Sequence, residues 1–131
     1  KTTVDLMGLN VNSPFSGDAL RFNIESFSSE NLKIQVKGWA VFENQDMANT
    51  KIQVIALNNE NKAFALPTNA IQREDVTSYI NNGFNLDQSG FEVSYSFDEL
   101  PQGQYKLALI LEDLKNKKKG MSITDKIFIK Q

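Results

Sequence analysis

Apolar and polar residues alternate along most of this chain, and alternation with a period of two is typical of β-strands with one buried face. The clearest case is residues 91–97, where Phe91, Val93, Tyr95 and Phe97 fall on one face and polar residues on the other. The same pattern predicts strands at residues 20–24, 32–36, 52–54, 105–111 and 121–129, and a first edge strand at about residues 3–11.

Segments rich in turn-forming residues separate the predicted strands, among them residues 13–17, 28–31, 43–49, 58–61, 101–103 and 116–120. About seven or eight short strands with frequent turns are typical of two packed sheets. The pattern therefore predicts an all-β fold, an Ig-like antiparallel β-sandwich, formed as a single domain over residues 1–131.

One stretch has helical spacing instead. Val76, Tyr79 and Ile80 recur at the spacing of one helix face, and acidic residues precede them. This predicts a helix of two turns within about residues 72–82, with Gly83 ending it or the turn after it.

Several predicted strands carry apolar residues on both faces, namely Trp39 and Val41, Ile55 and Leu57, and Ala108 and Ile110. A strand that is apolar on both faces is usually covered on both. Three explanations are open: the helix covers the second face, a partner covers it, or a bulge at Gly38 reverses the alternation from Trp39 onward. We favour a cover from within the chain and expect Trp39 to be mostly buried beneath Val76, Tyr79 or Ile80.

The 131 residues include no cysteine and no histidine. Thiolate nucleophiles, disulfides and the usual general base near neutral pH are therefore excluded, as are the commonest transition-metal ligands. We expect no enzymatic activity, no cofactor and no bound metal. Two short segments, 43–46 and 87–90, offer scattered oxygen ligands without the spacing of a calcium loop, and the acidic pair Asp98 and Glu99 falls in a turn.

Charge is nearly balanced, with 14 basic and 16 acidic residues giving a net charge of −2. This favours neither nucleic acid as a partner nor, in the absence of a long apolar run, insertion of this domain into a membrane. Lys115, Lys117, Lys118 and Lys119 form a charge run that is more typical of a solvated turn than of a binding surface. Because the chain begins with lysine rather than methionine, we expect it to be part of a longer protein.

Aromatic residues offer the main alternative to a purely structural interpretation. Exposed rings often stack against sugars, and Trp39, Tyr79, Phe84 and Tyr95 are the candidates for such a platform. The positions of Trp39, Tyr79 and Tyr95 on predicted apolar faces favour core roles instead. Arg73 and Asp75 are likewise either a clamp for a ligand or, as we favour, a structural ion pair or helix cap.

Residues 100–107 resemble a tyrosine corner, in which a tyrosine near the start of a late strand hydrogen-bonds to backbone a few residues upstream. Tyr105 follows the turn containing Pro101 and Gly103, as that motif requires. The feature is structural and supports an Ig-like architecture.

Four short motifs occur in order: Gly38-Trp39-Ala40, then Arg73 with Asp75-Val76, then Ser89-Gly90-Phe91, then Leu100-Pro101 with Gly103 and Tyr105. Over about residues 20–130 the chain resembles a bacterial Ig-like β-sandwich carried as an accessory module by proteins of envelope glycan metabolism, including large glycosyltransferases. The resemblance implies a cell-envelope or extracellular setting and no particular ligand-binding residue.

The sequence therefore predicts a non-catalytic accessory module that contacts an envelope glycan or a neighbouring domain of the same polypeptide. It makes no prediction about the oligomeric state. The alternative is a carbohydrate-binding domain with an aromatic platform, which exposure of Trp39 or Tyr79 would favour.

Overall fold

The computed structural model describes the backbone of residues 2–4 and the whole of residues 20–60 and 62–131. The described residues form nine strands and one α-helix. Their bounds are β1 Thr2–Val4, β2 Leu20–Ser28, β3 Lys33–Phe42, β4 Thr50–Asn58, β5 Ala63–Ala65, β6 Asn69–Ile71, α1 Glu74–Ile80, β7 Gly90–Ser96, β8 Gly103–Asp113 and β9 Lys118–Lys130.

The strands form two antiparallel sheets, one of five strands in the order β1-β5-β4-β8-β9 and one of four in the order β2-β3-β7-β6. The predicted antiparallel β-sandwich with one short helix is confirmed. The alternation in residues 91–97 correctly predicted a buried face, because Phe91, Val93 and Phe97 are each about 1% exposed. The predicted edge strand at residues 3–11 overlaps β1 at residues 3–4, and its remainder lies outside the described residues.

The main core lies between the sheets. On the five-stranded sheet it includes Val54 and Ala56 of β4 and Leu107, Leu109 and Leu111 of β8. The intervening residues point to the opposite face of that sheet, where Ile55, Leu57, Ala63, Ala108, Ile110 and Met121 form a second buried cluster. Four of these six, Ile55 and Leu57 of β4 and Ala108 and Ile110 of β8, are the second-face apolar residues that the sequence singled out.

Trp39 is only 6% exposed, which confirms its predicted burial. It belongs to the same buried cluster as Val76 of α1, and its ring meets that of Tyr79 edge-on at 6.3 Å. The helix therefore covers Trp39, as one of the three explanations proposed. It ends at Asn81, which adopts the left-handed conformation and donates its backbone N–H to Thr77 at 3.0 Å.

The proposed bulge at Gly38 is wrong. Strand β3 keeps one continuous register with β7, from Lys33 opposite Ser96 to Trp39 opposite Gly90. The irregularity lies across from Gly38, in β2, between Ile24 and Ser26. Gly38 is needed for a different reason: a Cβ there would lie 2.3 Å from the backbone oxygen of Asn23, closer than any side chain can approach.

The predicted tyrosine-corner hydrogen bond is present. The Tyr105 hydroxyl donates to the Pro101 carbonyl oxygen at 2.7 Å, and its ring stacks on Phe128 at 5.2 Å. Burial raises the pKa of the Tyr105 hydroxyl above its ordinary value, which keeps the donor protonated. This corner fixes the start of β8 against β9.

Candidate functional site

A groove of about 670 Å³ lies on the outer face of the four-stranded sheet. One wall is β2, the floor is Trp39 of β3, and the opposite wall is Arg73 with the first turns of α1. Strand β2 contributes Arg21, Asn23 and Glu25. The groove is therefore formed where the short helix packs on the sheet but does not reach β2 along its full length.

Two aromatic rings meet in the groove with opposite exposures. Trp39 is buried as the floor, whereas Tyr79 is 70% exposed on the helix wall. The helical spacing predicted a core role for Tyr79, and that prediction is wrong: α1 buries Val76 toward the sheet, while the Tyr79 ring leans over Trp39 and leaves most of its surface in solvent.

Arg73 joins the two walls through two carboxylates, and we name Arg73, Glu25 and Asp75 the Arg73 cluster. Its Nη1 and Nη2 donate to the two Glu25 oxygens at 2.6 and 2.8 Å. Its Nε and Nη2 donate to the two Asp75 oxygens at 2.9 and 2.8 Å. Both contacts have the bidentate geometry that favours arginine over lysine. The predicted Arg73–Asp75 ion pair is present, and Glu25 is a partner the sequence did not indicate.

A β-bulge places Glu25 in this cluster. Ile24 pairs with Gly38 and Ser26 pairs with Lys37, so Glu25 has no opposite residue in β3. Bulges redirect a side chain in this way. Arg73 reaches the cluster because Gly90 has no side chain: a Cβ at position 90 would lie 2.5 Å from the Arg73 Cγ atom.

The Arg73 cluster is ionised at neutral pH. Hydrogen bonds from Arg73 lower the pKa of Glu25 and of Asp75 below their ordinary values, and the two carboxylates in turn raise the pKa of Arg73. A carboxyl group that serves as a general acid near neutral pH needs a raised pKa instead. The cluster is therefore suited to accepting hydrogen bonds and not to donating a proton.

Arg21 lies at the other end of the groove, where its guanidinium carbon is 5.6 Å from the centroid of the Tyr79 ring. A guanidinium over an aromatic face is held by the ring's negative surface without use of its N–H groups. Within residues 20–60 and 62–131, no carboxylate pairs with Arg21. No pattern in the sequence indicates a role for this residue.

The other aromatic candidates do not join Trp39 and Tyr79. Phe84 and Tyr95 are half-buried and pack against the main core. Of the four rings considered for the alternative, an aromatic platform, only Tyr79 is exposed, and it lies edge-on to the buried ring of Trp39.

The lysine run lies at the β8–β9 hairpin and does not form a uniform cationic patch. The Lys118 ammonium lies 4.5 Å from the centroid of the Phe42 ring and also donates to the side chain of Gln45. Asp113 organises the turn by accepting backbone N–H groups from Lys115 and Asn116 at 3.0 and 3.1 Å. Hydrogen bonds, first from the Asn116 side chain, lower the pKa of Asp113.

The scattered acidic residues stabilise loops. Asp46 accepts the backbone N–H of Asn85 at 2.7 Å, and Asp87 accepts the Thr77 hydroxyl at 2.6 Å. Throughout the part of the chain that the structure describes, no three acidic side chains converge as a metal site would require. The same part contains no helix long and apolar enough to cross a bilayer.

Sequence reasoning missed Glu25 and Arg21, yet one signal was present. In β2 the apolar residues Leu20, Phe22 and Ile24 alternate regularly, and the next one, Phe27, comes one residue late. A break of this kind within a strand marks a bulge. No local signal indicates the partnership of Glu25 with Arg73, because 48 residues separate them.

Comparison with known proteins gives no relative: no family model, no curated protein and no solved structure matches this chain.

Proposed function

We propose that this chain is a non-catalytic binding module of a bacterial cell-envelope protein, and that it holds a glycan in the groove beside Tyr79. The observation that carries the proposal is the exposed Tyr79 ring at the edge of a groove that also presents the polar side chains of Arg21, Asn23, Glu25, Arg73 and Asp75. Sugars offer apolar ring faces and many hydroxyl groups. An exposed aromatic face with carboxylate acceptors, an asparagine amide and guanidinium donors around it suits both features.

The charged groups of the groove favour binding over catalysis. Arg73 keeps Glu25 and Asp75 ionised, and each carboxylate oxygen that accepts from Arg73 still has a lone pair for a ligand hydroxyl. The chain has no histidine or cysteine that could act as a base or a nucleophile. The module therefore contributes attachment to the glycan and no chemistry on it.

The Ig-like character and the envelope setting are part of the same proposal. Support for the first comes from the Tyr105 corner, whose hydroxyl reaches the Pro101 carbonyl as in Ig-like sandwiches. Support for the second comes from the motif order around Trp39, Arg73, Gly90 and Tyr105 noted in the sequence.

A glycan array tests the proposal, with the protein's own Tyr79 variants as probes of the site. We expect the chain to bind a restricted set of envelope-type glycans, Tyr79→Ala to abolish binding, and Tyr79→Phe to retain it, because only the ring face is needed. Leu114→Ala is the matched control, since it also removes an exposed apolar side chain but lies at the β8–β9 turn. Absence of any glycan binding would contradict the function, and binding that survives Tyr79→Ala would contradict the site.

Contact with a neighbouring domain is the second candidate, and the last strand favours it. Strand β9 forms an edge of the five-stranded sheet and exposes Ile123, Ile127 and Ile129. An edge strand with exposed branched apolar residues is a surface that proteins usually cover. Hydrogen exchange along β9, compared between this chain alone and the chain joined to a neighbouring domain, tests the contact: slower exchange at these three residues in the joined protein is expected, and equal exchange would exclude it.

A further inference from the structure

Three of the four charged side chains in the groove are already engaged with one another. Arg73 directs four hydrogen bonds to Glu25 and Asp75, using its Nε and both terminal nitrogens. A guanidinium has five N–H groups, so Arg73 has little capacity left for an anionic ligand. With one positive and two negative side chains, this end of the groove carries a net negative charge.

Arg21, unlike Arg73, has N–H groups that are not engaged with carboxylates. Its side chain is exposed, and no carboxylate among the described residues pairs with it. Its guanidinium carbon lies 5.6 Å from the centroid of the Tyr79 ring, beside the ring that the proposed glycan would contact. The N–H groups of Arg21 therefore remain available beside that ring, and a guanidinium fork recognises carboxylate or phosphate oxygens.

The positive and negative ends of the groove are well separated. Arg21, Asn23 and Glu25 line the groove from one strand, and a strand rises about 3.3 Å per residue, so about 13 Å separates the Cα atoms of Arg21 and Glu25. A complementary ligand has an anionic group at the Arg21 end and hydrogen-bond donors at the end of the Arg73 cluster. A span of this length also favours an extended oligosaccharide over a single sugar ring.

We propose that the groove selects acidic glycans. A sugar ring stacks on the surface of Tyr79 that Arg21 leaves exposed, a carboxylate, phosphate or sulfate substituent of that sugar or its neighbour binds Arg21, and hydroxyl groups donate to Glu25 and Asp75. This inference rests on the proposed glycan-binding function and adds the charge and direction of the ligand. Arg21 is the residue that determines specificity.

Charge-matched variants on an array of paired glycans test this inference. Each acidic glycan, bearing carboxylate, phosphate or sulfate, is compared with its neutral counterpart, the methyl ester or the unsubstituted sugar. For the tightest ligand, affinity is then measured in solution by the fluorescence of Trp39, the one tryptophan of the chain, which forms the floor of the groove. The three acidic classes on the array identify which anion is preferred.

We expect acidic glycans to bind and their neutral counterparts to bind at least about tenfold more weakly, as the loss of a charge-assisted hydrogen bond implies. Arg21→Gln should weaken acidic glycans about ten- to a hundredfold and leave neutral glycans unchanged. Arg21→Lys should restore part of the affinity, since lysine keeps the charge and loses the planar fork. Lys106→Gln is the control: it removes the same charge from an exposed position on β8 and should change nothing.

The outcomes separate this inference from the function on which it rests. Equal binding of acidic and neutral glycans, or acidic binding that survives Arg21→Gln, would overturn the acidic preference while leaving a Tyr79-dependent glycan site intact. An equal loss in Lys106→Gln would overturn the role of Arg21 and indicate a general effect of net charge. If no glycan of either kind binds, the function and the inference fail together.

Discussion

The outer faces of the two sheets carry different kinds of side chain. On the four-stranded sheet, Trp39 is buried beneath α1, and a charged groove remains beside it. On the five-stranded sheet, Ile55, Leu57, Ala108 and Ile110 are buried together with Ala63 and Met121, and no residue of α1 belongs to this cluster. Both regions gave the same sequence signal, which was apolar residues at successive positions of a strand.

This difference explains what such a signal means. Apolar residues on both faces of a strand indicate that both faces are covered, but they do not indicate by what. On the four-stranded sheet a seven-residue helix is too short to cover the whole face, so polar side chains border the buried ring. Arg73 bridges two of those side chains, Glu25 and Asp75. The groove thus exists because the short helix α1 covers only part of the outer face of the four-stranded sheet.

The comparison first predicts a large effect at Trp39. Trp39→Ala is expected to lower the free energy of unfolding by about 3–5 kcal/mol, because it empties the contact between β3 and α1. A urea titration measures the loss, and Trp39→Phe, which keeps a ring in the site, should cost less. An unshifted midpoint for the alanine variant would show that Trp39 does not hold the helix on the sheet.

The second prediction tests whether the outer face of the five-stranded sheet affects stability without affecting the groove. Ile55→Ala should cost about 2–5 kcal/mol and Ile55→Val about 0.5–1.5 kcal/mol, since Ile55 is fully buried in the cluster on the five-stranded sheet. The folded fraction of either variant should bind groove ligands with unchanged affinity. A change in that affinity would show that the two faces are coupled through the core.

The third prediction concerns the pH dependence of the Arg73 cluster. Arg73 lowers the pKa of Glu25 in the folded state. The stability that ionised Glu25 contributes is therefore present above the ordinary carboxyl pKa, and it is lost as the pH falls through the lowered pKa of the folded state. Glu25→Gln should therefore cost up to about 1 kcal/mol at neutral pH, a small amount because the pair is partly exposed to solvent. The same difference should vanish in acid. Urea midpoints of both proteins across the acidic range measure it, and a difference that grows as the pH falls would contradict the prediction.

The smallest effect is expected at the exposed edge of the five-stranded sheet. Ile129 is 58% exposed, so Ile129→Thr should change the free energy of unfolding by no more than about 0.5 kcal/mol. Thermal denaturation at two protein concentrations provides the measurement. A larger loss that depends on concentration would show that a second copy of the chain covers β9 in solution.

Most of the fold could be predicted from the sequence because it depends on local alternation. The alternation in residues 91–97 and 105–111 correctly predicted β7 and β8. The turn before Tyr105 predicted its hydrogen bond to Pro101, and the spacing of Val76 and Ile80 predicted α1. Strands β5 and β6 were missed because three residues are too few to show a period of two.

Little of the candidate site could be predicted, because it depends on contacts between distant parts of the chain. Trp39 and Arg73 were singled out, but the sequence could not show that Glu25 and Arg21 would approach them from β2. The exposure of Tyr79 was also misjudged. Helical spacing places a residue on the apolar stripe, whereas its burial depends on how far the sheet extends beneath the helix.

The bulge at Glu25 makes the groove sensitive to the length of the chain as well as to its residues. Ile24 and Phe27 both face the core although three positions separate them, so the strand carries one residue more than its partner needs. Deleting that residue would leave an unbroken ladder and an intact core while removing the bond between β2 and Arg73. If the groove binds a glycan as proposed, deleting Glu25 should therefore weaken that binding in a protein that still folds.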